Sequence, residues 1–136
     1  MREIKFRGKV PNTDIWIYGH LVEQLGAKSL KSPRRYIVSY DEKIEDYDWE
    51  MPRIVERESV GQFIGAYDCD DTEIYEGDIC RIVGFESKRN VVIKWDKAEM
   101  RFAMFNLDGT KSPIQFHAAA CHNLKVVGYT IDEDRD

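Results

Sequence analysis

A chain of 136 residues suits one domain, or one domain with an added layer, and is long enough to bury a real core; 33% charged against 43% apolar residues describe a well-solvated protein. The net charge of −5 falls wholly in residues 60–136, since residues 1–59 are balanced, so the second part repels phosphate. The opening residues alternate charged and apolar side chains, which gives no ground for a signal peptide or membrane span; a cytoplasmic location is expected, with Cys69, Cys80 and Cys121 as free thiols.

In chain order the dominant hydrophobic period is two, that of half-buried antiparallel strands. A first strand over 2–7 is expected to bury Ile4 and Phe6 and to wet Glu3, Lys5, Arg7 and Lys9. Pro11-Asn12-Thr13-Asp14 reads as a turn, because proline fixes φ and Asn and Asp bond their own backbone in tight bends. Strands follow at 15–23, 35–40 and 53–56, separated by a polar loop over 26–33 and an acidic connection over 41–50. Further strands are expected at 60–66, 74–75 and 78–85, and then a hairpin of 91–95 with 100–106. An alanine-rich helical turn over 117–123 and a last strand over 125–131 complete the order. Short strands at this spacing suggest a small barrel rather than a parallel α/β sheet.

The most specific stretch is ESVGQFIGAYD at 58–68 followed by EIYEGDI at 73–79, two apolar strands about an acidic turn. It resembles the signature of the YopX family of phage and prophage proteins, and the opening strand, the Trp16-Ile17-Tyr18-Gly19 strand and the Val126-Val127-Gly128 segment fit the same order. The resemblance carries no agreed activity. It implies a small SH3-like antiparallel barrel at 58–131, an N-terminal β-meander at 1–57 packed on it, and an acidic tail at 132–136. It also singles out Gly61, Gln62, Gly65, Tyr75, Glu76, Gly77 and Asp78 as structural signature positions. Gly61 and Gly65 are expected at bulges or close backbone approaches, and Gly77 at a turn with φ > 0. The family often places a glycine turn between the two strands, whereas this chain has Asp68-Cys69-Asp70-Asp71-Thr72-Glu73, so an Asp is expected in the left-handed position.

Four constellations could carry chemistry. His117 and Cys121 stand one helical turn apart beside His122, a spacing that suits two zinc ligands, but no paired Cys-x-x-Cys supplies the rest; a cap over the barrel is the simpler reading. Cys121 with His117 or His20 could form a nucleophile and base, yet no glycine elbow surrounds it, and a Cys after three alanines suits packing. The carboxylates Asp68, Asp70, Asp71, Glu73, Glu76 and Asp78 do not follow the EF-hand pattern and read as a solvated hairpin tip, with Glu76 and Asp78 bonding turn N–H groups. A basic patch of Lys28, Lys31, Arg34 and Arg35 with Tyr36, in the 28–36 loop, is the one candidate nucleic-acid surface.

The aromatics Trp16, Tyr18, Tyr36, Tyr40, Phe63, Trp95, Phe102 and Phe105 fall at strand period and are expected mostly in the core. The chain therefore reads as a mainly β, non-enzymatic accessory protein of phage type without cofactor or metal, acting by protein–protein contact as a homo-oligomer. The alternative is a nucleic-acid-associated barrel module.

Overall fold

The computed structural model describes residues 3–23, 34–39, 52–83, 89–112 and 116–130. The fold is mainly β, with ten antiparallel strands, a 3-10 turn at Arg57–Ser59 and a four-residue helix α1 (Ala118–Cys121) among the described residues. It forms two compact units, one of Glu3–Gln62 and one beginning at Phe63.

In the first unit β1 (Phe6–Lys9), β2 (Trp16–Glu23), β3 (Arg35–Ser39) and β4 (Arg53–Val55) pair in the order β4-β3-β2-β1, and Gly61 and Gln62 of β5 (Gly61–Tyr67) pair along the free side of β1. Alternation sends Ile17, Ile37 and Val55 into a small core, with Phe6, Val10, Leu21 and Val60 packed against it. Gly8 lies on that face where a Cβ would come 2.7 Å from the Cβ of Val55, so only glycine fits without displacing β4. The Pro11–Asp14 turn is present and puts Asn12 at φ 61. Thr13 steadies it by donating its hydroxyl to the Val10 carbonyl and accepting the Ile15 N–H.

The first strand departs from expectation. It begins at Phe6, leaving Ile4 exposed outside it, and its supposed wet residues Arg7 and Lys9 are buried. The Arg7 guanidinium lies 4.8 Å from the Trp16 ring centroid, and the Lys9 stem is covered while its ammonium reaches 3.5 Å from Asp14. Long cationic side chains can bury their stems in this way and keep the head paired.

In the second unit the rest of β5 pairs with β6 (Glu73–Tyr75), and β7 (Asp78–Ile82), β8 (Asn90–Asp96), β9 (Arg101–Asn106) and β10 (Leu124–Tyr129) form a sheet in the order β10-β7-β8-β9. This sheet is not closed into a barrel by the described strands. One core lies between the β5–β6 hairpin and the four-stranded sheet: Ile74, Cys80, Ile82, Val91, Ile93, Met104, Cys121 and Leu124, flanked by Ile64, Ala66, Phe116 and Val126. The β8–β9 hairpin turns through Lys97–Met100, where the Asp96 carboxylate accepts the Ala98 N–H and Met100 takes φ 55. Lys111 joins Asp96 and Glu99 there at 2.7 Å each.

Gly65, at φ 87, sits inside the register shift between Phe63 and Tyr67, which is the bulge expected of it. Gly61 instead pairs in regular register with Arg7. The signature block thus begins in the first unit and ends in the second.

Candidate functional site

The 68–78 segment is built around two buried carboxylates. Asp68, at 2% exposure, accepts N–H bonds from Asp70 (2.8 Å) and Thr72 (2.9 Å) on Oδ1 and from Val126 (3.0 Å) on Oδ2. Its own N–H donates to the Thr72 carbonyl, and Asp71 supplies the left-handed residue at φ 61, as the missing glycine required. Burial pushes the Asp68 carboxyl up, but the donors Val126, Thr72 and Asp70, helped by Lys125, outweigh it and hold the carboxyl below its ordinary value.

Asp78, fully buried, accepts the Tyr75 N–H at 2.8 Å, the turn bond expected of it. Between them Gly77 stands at φ 93 and is held on both sides: its N–H donates to the Ile93 carbonyl, and its carbonyl accepts both the N–H and the hydroxyl of Thr130. Phe63 packs its ring 5.6 Å from Tyr75 and 5.7 Å from Tyr67. The tip itself, Cys69–Thr72, is exposed as expected, but Asp68 and Asp78 at its two ends face inward; around Asp68, backbone N–H groups replace the water that a carboxylate would otherwise need. Glu76 is half-buried and Gln62 likewise.

The remaining candidates separate. The Ala120 N–H donates to His117 Nδ1 at 3.3 Å, so that ring caps the start of α1, while His122 is exposed. Cys121 lies in the core, where burial pushes its thiol up to about 11 and makes it a poor nucleophile at neutral pH. His20, its other suggested partner, belongs to the first unit. Among the described residues no three His, Cys, Asp or Glu side chains converge on a metal position. Cys69 is exposed, and Cys80 is buried beside Cys121 in the same core.

Of the basic patch, Lys28 and Lys31 lie outside the described residues, as do the 41–50 connection, Tyr40 and the acidic tail. Arg34 is exposed. Arg35 is engaged: its Nε lies 2.8 Å from Glu23, and it donates to the Arg57 carbonyl.

The surface that sequence reasoning missed is the outer face of the first sheet. Directly opposed residues of antiparallel strands share a face, so Ile54, Tyr36 and Val22 form one row across β4, β3 and β2, with Val38 and His20 in the next and Tyr18 beyond. Tyr18, Val22 and Ile54 are 38%, 41% and 42% exposed. The expectation that most aromatics are core fails here: of the eight named, Phe63 is the one fully buried among those described, and Trp95 is exposed beside Phe102. A signal was present, since both the odd and the even positions of 16–22 are largely apolar, which a half-wet strand does not need.

No helix among the described residues is long and apolar enough to cross a membrane. No curated protein matches the chain. The family model described as YopX protein matches residues 5–133. That match spans nearly the whole of the sequence, and the chain belongs to the YopX family.

Proposed function

We propose that this is a non-enzymatic, phage-type accessory protein of the cytoplasm that acts by protein–protein contact and self-associates through the outer face of its first sheet. The observation that carries the reading is the row of exposed Ile54, half-buried Tyr36 and exposed Val22, with exposed Tyr18 beyond, on the face opposite the unit's own core. A second copy is the favoured occupant because residues 1–59 are balanced in charge, so that stretch adds no net charge to the repulsion between copies, which comes from the −5 of residues 60–136. Sheet edges contribute less than the face: β4 is three residues long and follows Pro52, a blunt edge. In the second unit the β5–β6 hairpin packed on the β7–β10 sheet supports an SH3-like arrangement of two sheets about one core.

Light scattering tests the self-association. The parent should give a mass above 15.9 kDa, and Val22→Glu with Ile54→Glu should return it to the monomer with unchanged circular dichroism. A parent that is monomeric at micromolar concentration overturns the reading.

One observation favours the nucleic-acid alternative: Tyr18, His20 and Tyr36 share that sheet face, and exposed Arg34 directly precedes the strand that carries Tyr36. Binding of single strands that weakens steeply between two salt concentrations, and that Arg34→Glu removes, would establish it.

A further inference from the structure

We infer that the Asp68–Thr72 turn is an edge cap, which keeps β10 from pairing with a strand of a second copy. β10 has β7 on one side, with Val126 opposite Cys80 and Leu124 opposite Ile82. On its other side successive backbone groups are occupied by the turn: the Leu124 carbonyl accepts the Cys69 N–H at 2.9 Å, and the Val126 N–H donates to Asp68 Oδ2 at 3.0 Å. The turn is rigid for this task, because Asp68 also accepts the Asp70 and Thr72 N–H groups and its carbonyl takes that of Asp71. Just past the cap, the register of β10 shifts between Val126 and Gly128, which twists the rest of the edge out of line.

The sequence gives the cap something to guard against. Leu124, Val126, Val127 and Tyr129 make β10 a strand of high β-propensity with one charge, Lys125, and Val127 is exposed. An open edge of this composition is a template for further strands. A carboxylate is suited to the cap because it is acceptor-only: one oxygen serves the turn and the other serves the strand.

Asp68→Asn isolates the strand-facing bond, since the amide oxygen can still serve the turn while its NH2 group confronts the Val126 N–H. The experiment is done with Val22→Glu and Ile54→Glu also present, so that association through the sheet face is removed and the two ideas fail separately. The expected result is a folded protein by near-ultraviolet circular dichroism, with Val126 amide exchange about tenfold faster or more. Its mass should rise with concentration, and further addition of Val126→Pro, which deletes the exposed donor, should abolish the larger species. A folded Asp68→Asn protein of unchanged mass overturns the cap, as does a larger species that survives Val126→Pro. Loss of the fold overturns it too, because Asp68 would then serve the fold rather than guard the edge.

Discussion

Gly77 is the residue at which the signature block is least replaceable. Its φ of 93 lies in the left-handed region, and both its N–H and its carbonyl are bonded, to Ile93 and to Thr130, so the turn cannot relax into another conformation without losing those bonds. A β-carbon there costs about 1–2 kcal/mol in strain alone. Gly77→Ala should therefore lower the thermal midpoint by several degrees, and Gly77→Val by more, measured by circular dichroism against Gly109→Ala as a left-handed glycine in an exposed turn. A Gly77→Ala protein as stable as the parent, but defective in association, would assign the block to binding instead. This residue was legible in sequence, because glycine between two turn carboxylates points to positive φ. Arg7 and Lys9 were not: a period-two pattern assigns them to the wet side, whereas Arg7 is buried against Trp16 and Lys9 is buried with its ammonium paired to Asp14.

The Asp68–Thr72 turn behaves as one element, held by a single carboxylate, and acid is its natural probe. Because the folded carboxyl is held below its unfolded value, the stability it contributes is fully present above the ordinary aspartate pKa of about 3.9. That stability is lost as pH falls through the depressed folded value. The charged groups facing it are Lys125 and, 4.0 Å from that ammonium, Asp70, and neither reverses the sign. The amides of Asp70, Thr72 and Val126 should lose hydrogen-exchange protection together as pH drops below 4, after correction for intrinsic rates, and Asp68→Asn should remove that dependence for Val126. Unchanged protection of Val126 down to the acid unfolding transition would show that the bond does not hold the turn.

At this scale the hairpins β8–β9 and β5–β6, and the strand order along the chain, were readable, since each rests on alternation and turn residues between neighbours. The pairing of β1 with β5 and of β10 with β7 was not, because alternation says which face is buried and not which strand lies alongside. The buried Asp68 escaped for the same reason: its main partner, Val126, is 58 positions away.

For the molecule as a whole, the charge distribution separates the two functional readings by the sign of a salt effect. A protein of net −5 that associates through an apolar face carries mutual repulsion between copies, which added salt screens. Apolar burial itself is not weakened by moderate salt. Raising sodium chloride from about 50 mM to 300 mM, across which the Debye length falls from well above 10 Å to below 8 Å, should therefore hold or strengthen self-association in sedimentation velocity. Phosphate binding behaves oppositely, since each neutralised phosphate releases counterions and affinity falls steeply with salt. Association that weakens steeply over this range would mean that ion pairs, not the Ile54, Tyr36 and Val22 row, hold the copies together. If the species that dissociated also carried nucleic acid, seen as excess absorbance at 260 nm, the self-association reading would give way to the nucleic-acid one. Parent protein free of nucleic acid, whose mass is constant or rising with salt and falls to 15.9 kDa in Val22→Glu with Ile54→Glu, would place the contact on the sheet face.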